Sequence, residues 1–179
     1  MTTYVALIRG INVGKKTIIM KKLAEAITSA GYKNVTTYIQ SGNVIFETKK
    51  TSNSTLGRKF SNIILDKFGY DVDVMIRTKD EFSLIIKEAP FKKADINSDK
   101  KLYVTFLLEK LNTENTRLLK SLNNPQETFY AKGSEIYTIR DPKISFDKTV
   151  LGVLDKKLKV PTTTRNWNVV NKVYELMQK

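Results

Sequence analysis

Apolar and polar positions along this chain follow two periods, and the switches between them divide it into elements. Residues 5–9 read as a strand with two apolar faces, Val5 and Leu7 on one and Tyr4, Ala6 and Ile8 on the other. A loop follows, Gly10-Ile11-Asn12-Val13-Gly14-Lys15-Lys16-Thr17, and then the period lengthens. Met20, Leu23, Ala24, Ile27 and Ala30 recur at helical spacing, and Gly31 supplies the stop. Residues 35–40 and 44–48 are strands joined by the turn residues Ser41-Gly42-Asn43. Ser54 is placed to cap a helix carrying Leu56, Phe60, Ile63, Ile64 and Phe68, closed by Gly69, and residues 72–77 alternate again. The order of the first half is βαββαβ.

Thr78 and Glu81 form a capping box that opens a short helix through Phe82, Ile85 and Ile86, and Pro90 ends it. Residues 89–99 are polar and charged and read as an interdomain linker. The second half repeats the order. It has a strand at 102–108, a helix at 113–122, a hairpin of 128–131 with 135–139, a helix at 148–158 and an extended piece at 162–164. A terminal helix carries Trp167, Val170, Val173, Tyr174 and Met177. The expected fold is α+β: two consecutive ferredoxin-like (βαββαβ) plaits with a C-terminal helix. The expected domains are residues 1–88, the first plait with its connecting helix, and residues 99–179, the second plait with the terminal helix.

A sheet of this kind is covered by helices on one face only, yet the strands at 5–9 and 102–108 are apolar on both. The other half of the chain is the expected second cover. Tyr4 and Tyr38, with Tyr103 and Tyr137 in the second half, are read onto the faces turned away from the helices. They form either plain packing with solvated hydroxyls or a groove able to stack a planar ligand.

Composition narrows the chemistry more than the fold. The chain has 179 residues, of which 41% are hydrophobic and 27% charged, and contains neither His nor Cys. That removes imidazole acid–base catalysis, Ser-His-Asp and Cys-His nucleophiles, disulfides, thiol redox chemistry and Cys/His zinc sites. Carboxylate, Lys, Tyr, Ser/Thr or substrate-assisted chemistry survives. The formal charge of +13 divides almost evenly, +6 over residues 1–89 and +7 over 90–179. Such a charge suits a polyanion such as nucleic acid. An even, Lys-dominated spread is equally that of a solvated surface, because clustering is what marks a footprint. No stretch is long and apolar enough for a membrane span, and the amino terminus has no basic n-region, its apolar run stopping at Arg9. The expectation is a cytoplasmic protein with no membrane partner.

Three stretches could carry a site. The 10–17 loop, G-x-x-x-G-K-K-T, is one residue short of the phosphate-loop spacing and lacks a parallel-sheet setting, so nucleotide hydrolysis is rejected. Two glycines can still turn backbone N–H groups outward beside Lys15 and Lys16, which describes an anion nest as well as a plain turn. Gln40-Ser41-Gly42-Asn43 lies at the same sheet edge, because the first and third strands of this fold are adjacent and antiparallel. Arg9, Asn12, Ser41 and Asn43 therefore converge. The third stretch runs from Thr162 to Asn168. There Thr164 or Asn166 can cap the last helix, and Arg165, unfavourable to the helix dipole, points to an anionic partner. Asp71 with Asp73, Asp141 with Asp147, and the pair Asp147-Lys148 have no spacing specific to hydrolysis or metal binding. No cofactor and no metal are expected.

Four of these stretches resemble a known signature. They are Leu7-Ile8-Arg9-Gly10-Ile11-Asn12-Val13-Gly14, then Thr37-Tyr38-Ile39-Gln40-Ser41-Gly42-Asn43-Val44-Ile45-Phe46, then Pro90-Phe91, and Thr163-Thr164-Arg165-Asn166-Trp167-Asn168. Together they look like the bacterial domain of unknown function 1697 family, which implies two ferredoxin-like subdomains and supplies no catalytic residues. The chain departs from the family pattern at Lys15, at Asp147-Lys148 and at Val169. The resemblance marks polar positions not needed for folding. The expected function is binding of a small anionic ligand, a nucleotide or phosphometabolite, at loops between the subdomains. Its expected residues are Arg9, Asn12, Lys15, Tyr38, Ser41, Asn43, Arg165 and Asn166. The rivals are an enzyme using Lys, Tyr or carboxylate groups, with or without an oxygen-ligated metal, and an RNA-binding plait. Against the second, residues 41–46 do not fit the aromatic pattern of an RNA-recognition strand.

Overall fold

The computed structural model describes residues 1–179, apart from the side chain of Asp147. The described residues form eight strands and seven α-helices in two compact units, Met1–Leu84 with Asn171–Lys179, and Ile85–Val170.

In the first unit β1 (Thr2–Ile8), β2 (Lys33–Tyr38), β3 (Asn43–Thr48) and β4 (Val74–Thr78) form an antiparallel sheet of order β2-β3-β1-β4. The alternation of β1 sends Tyr4, Ala6 and Ile8 to one face, where they meet Val44, Phe46, Val74 and Ile76. Two helices, α1 (Met20–Ser29) and α2 (Asn53–Phe68), add Leu23, Ile27, Leu56, Phe60 and Ile64 to that core. At its centre the rings of Phe46 and Phe60 are 4.6 Å apart, Tyr4 stacks on Phe46 at 5.5 Å, and Tyr32 stands edge-on to Phe46 and Phe60. The Tyr4 hydroxyl donates to the Thr51 carbonyl and accepts from the Thr51 N–H, each at 3.0 Å. Tyr4 is therefore a core residue on the helix-covered face, contrary to its expected place. Strand alternation fixes this, since Tyr4 shares parity with Ala6 and Ile8. Tyr38 is level with Asn43 and, through it, with Leu7, on the opposite face.

Both faces of β1 are buried, Val5 and Leu7 as fully as their neighbours. The cap of α2 is Ser52, whose hydroxyl accepts from the Thr55 N–H, and not Ser54. The Thr78–Glu81 capping box is present and opens α3 (Lys79–Lys87).

The second unit repeats the arrangement. A short helix, α4 (Lys93–Ile96), precedes β5 (Lys101–Leu107). Then come α5 (Thr113–Ser121), β6 (Glu127–Lys132), β7 (Glu135–Arg140), α6 (Leu154–Leu158), β8 (Thr162–Asn166) and α7 (Trp167–Leu176). The sheet order is β6-β7-β5-β8, the same as in the first unit. Leu107, Phe129 and Ile136 pack with Leu119, Leu151, Leu154 and Leu158. Tyr103 packs against this core and Tyr137 faces the other way, the same split as Tyr4 and Tyr38.

The helix expected over 148–158 is broken. Two 3-10 turns precede a five-residue α6, because the buried Glu127 carboxylate accepts the N–H groups of Val150 and Leu151 at 2.6 and 3.0 Å. α6 ends on Lys159 at φ 52°, a left-handed conformation that costs an L-residue about 1 kcal/mol. Lys159→Gly is expected to raise stability by about that amount, read as a higher urea midpoint with an unchanged slope.

Candidate functional site

The chain leaves β1 still paired on both sides. The Ile8 N–H donates to Gly42 O at 2.9 Å and the Arg9 N–H to Asp73 O at 3.0 Å. It then turns through left-handed residues at Gly10 (φ 66°), Asn12 (φ 56°) and Gly14 (φ 71°). Asn12 organises this loop. Its Nδ2 donates to the carbonyls of Ile18 at 3.0 Å and Gln40 at 2.8 Å, and its Oδ1 accepts from the Ile18 N–H at 2.8 Å. One carboxamide thus ties residues 12, 18 and 40 together. Asn12 is fully occupied in doing so, which makes it a positioning group.

The hairpin tip is held equally tightly. Gly42 packs so closely that an added Cβ would lie 2.9 Å from Ile11 Cδ1 and 3.1 Å from Ile8 Cβ, and its φ is 76°. Asn43 is fully buried, and its Nδ2 donates to Tyr38 O and to Ser41 Oγ, each at 3.0 Å. Tyr38 is half-buried, and among the described residues its hydroxyl makes no hydrogen bond. It adds to the field that holds the Lys172 ammonium above its usual value, an effect due first to the Glu175 carboxylate at 2.9 Å.

The cations of this edge differ in their ties. Arg9 lies 3.4 Å from the Asp73 carboxylate, both half-exposed, a pair of small net value. Lys16 donates to Asp71 O at 2.7 Å. Lys15 is exposed and, among the described residues, makes no hydrogen bond or ion pair. The backbone N–H groups of Val13, Gly14, Lys15, Lys16 and Thr17 likewise have no partner among the described residues. Free N–H groups on a chain that alternates left-handed and ordinary residues, with an unpaired ammonium beside them, can hold an anion.

Arg165 and Asn166 belong to the second unit. Arg165 lies within β8, opposite Val104, and not at a helix terminus as expected. Its guanidinium donates to Thr163 Oγ1 at 2.7 Å and Thr164 O at 2.9 Å, and burial pulls its pKa down to about 10. Asn166 is exposed and caps α7 through Oδ1, which accepts the Val169 N–H at 2.9 Å. The sequence reading missed Arg77, which occupies the matching place in the first unit. It is buried on β4 opposite Val5 and donates to the carbonyl of the residue before it, as Arg165 does. The signal was there, an Arg at the same step of the last strand in each half.

The second unit has two shallow clefts beside the start of β5. One of about 330 Å³ is lined by Lys101, Tyr103, Asn166, Trp167 and Asn168 among others, and one of about 280 Å³ by Gln126, Thr128, Arg140 and Lys143 among others. No cluster of three acidic residues that could hold a metal ion occurs among the described residues, and no described helix is long and apolar enough to cross a membrane. Asp147, paired with Lys148 in the sequence reading, lies outside the described side chains.

Comparison with solved structures finds a likeness to the conserved bacterial protein SP0830 from Streptococcus pneumoniae. The TM-score is 0.80 and the identity 24%, over 100% of this chain and 99% of that one. At that identity the likeness speaks for the fold. No curated protein matches this sequence. A family model described as a protein of unknown function (DUF1697) matches residues 1–137, which include both the 10–17 loop and the hairpin that holds it. With more than half its length matched, and with the paired four-stranded sheets in place, the chain belongs to the DUF1697 family.

Proposed function

We propose that the protein binds a small anionic ligand, a nucleotide or a phosphometabolite, at the 10–17 loop. The observation that carries this is the run of N–H groups from Val13 to Thr17 and the neighbouring Lys15 ammonium, none of which has a partner among the described residues. Phosphate oxygens accept from those N–H groups while Lys15 supplies the opposite charge. Arg9, half-exposed and 3.4 Å from Asp73, gives a second cation near the loop. Asn12, Ser41 and Asn43 act one step back. They fix the loop and the hairpin tip so that the donors are already oriented when the ligand arrives, which lowers the ordering cost of binding. Binding of this type weakens as salt is added.

The test is titration with inorganic phosphate and with ADP, followed by calorimetry and 31P NMR. Lys15→Ala is expected to weaken binding roughly tenfold, the loss of one charge-assisted contact of about 1.4 kcal/mol. Its melting temperature should be unchanged, because the side chain is exposed and makes no hydrogen bond or ion pair among the described residues. Equal binding by wild type and Lys15→Ala overturns the reading.

A further inference from the structure

Three exposed apolar side chains flank the knot made by Asn12, each one residue from a tied position. They are Val13, Ile19 and Ile39, with 66, 58 and 47% of their surface exposed. Ile39 is also held at φ 49°. A β-branched residue in the left-handed region is strained, at about 1–3 kcal/mol. Strain and solvent exposure together make Ile39 a poor choice for folding alone. Cations predominate along the stretch that carries Val13 and Ile19. Residues 9–24, which carry Val13 and Ile19, include Arg9, Lys15, Lys16, Lys21 and Lys22 and no Asp or Glu, and residues 34–46, which carry Ile39, hold no charged side chain. The acids at this edge are Asp73, 3.4 Å from Arg9, Asp71, whose backbone carbonyl holds Lys16, and Glu175, paired with Lys172 in the field of Tyr38.

We infer that this edge of the first unit is a docking surface for an acidic segment of a partner protein, one in which carboxylates alternate with aliphatic side chains. The aliphatic groups cover Val13, Ile19 and Ile39, and a carboxylate occupies the donors of the 10–17 loop. The inference rests on the anion-binding reading of that loop and names a partner for it. A fluid bilayer has no use for a strained, pre-set backbone, whereas a folded partner reads shape. Nucleic acid would call for aromatic stacking, and the trio offers none. Exposed apolar side chains beside a mainly cationic stretch are the complement of an acidic, aliphatic strand or helix face.

The experiment measures fluorescence anisotropy of labelled synthetic peptides on the full chain. The peptides are an alternating Glu/Leu sequence, polyglutamate and an alternating Lys/Leu sequence. Vesicles of mixed neutral and anionic phospholipid and single-stranded oligouridylate are run alongside. The expected result is a preference for Glu/Leu over polyglutamate of about tenfold, typical of a few buried contacts, and no binding of Lys/Leu. Ile19→Ser should sharply reduce that preference while leaving phosphate binding intact, since Ile19 lies outside the 10–17 loop. Ile39→Gly should raise the melting temperature and weaken Glu/Leu binding, opposite signs that a merely structural residue would not give. Equal binding of Glu/Leu and polyglutamate, or retention of vesicles or oligouridylate in preference to peptide, overturns the inference. So does phosphate binding without peptide binding, which leaves the small-anion reading standing. If neither phosphate nor peptide binds, both readings fall.

Discussion

Gly57→Ala is expected to destabilise the protein by about 2–3 kcal/mol, against the usual sign for a glycine inside a helix. Gly57 lies in α2, where replacing Gly by Ala ordinarily gains about 1 kcal/mol through helix propensity. Here the added Cβ would lie 2.7 Å from the carbonyl oxygen of Val74. That oxygen belongs to β4, whose partner across the ladder is Ile8 on β1, so it cannot retreat without disturbing the sheet. The helix must shift instead, and the Phe46–Phe60 contact at 4.6 Å moves with it. Urea unfolding of wild type and Gly57→Ala measures the difference. A stabilised variant would show that the helix–sheet approach is looser than described.

Asn12→Asp is expected to cost about 2–4 kcal/mol and to abolish anion binding, although it changes one atom. Two carbonyls, of Ile18 and Gln40, now accept from the Asn12 amide. A carboxylate offers no donor, so both carbonyls would face negative charge, and each lost bond with its unsatisfied partner costs about 1–2 kcal/mol. The loop would then swing free of the hairpin tip. Asn12→Gly separates the contributions, because it keeps the left-handed backbone at φ 56° without strain and loses the Nδ2 bonds and the Ile18 N–H bond to Oδ1, but sets no negative charge against the two carbonyls. The order of stability expected from urea midpoints is wild type, then Asn12→Gly, then Asn12→Asp. Phosphate titration should fail in both variants.

Much of the architecture is legible because strand parity and helical spacing are local signals. The alternation of β1, the run from Leu23 to Ile27, and the Thr78–Glu81 box all lie within a few residues of one another, and the structure bears them out. What escapes is set at a distance. The broken helix over 148–158 depends on Glu127, whose carboxylate comes from another strand. Arg165 reads as a misplaced helix cation until β8 is seen to extend through it. Arg77 draws no notice because an Arg at a strand end passes for a solvated one. At the candidate site, sequence identifies which polar residues gather at one edge. Only the geometry divides them into those tied within the chain, Asn12 and Asn43, and the unattached Lys15.

The membership of Asn171–Lys179 in the same compact unit as Met1–Leu84 has a consequence for biosynthesis. Tyr174, in that last stretch, donates to Ser83 Oγ at 2.9 Å. The unit translated first is therefore finished last. Nascent residues 1–84 must wait near the ribosome, without their final helical turns, until the whole of the intervening unit has emerged, an interval in which a chaperone has its best purchase on them.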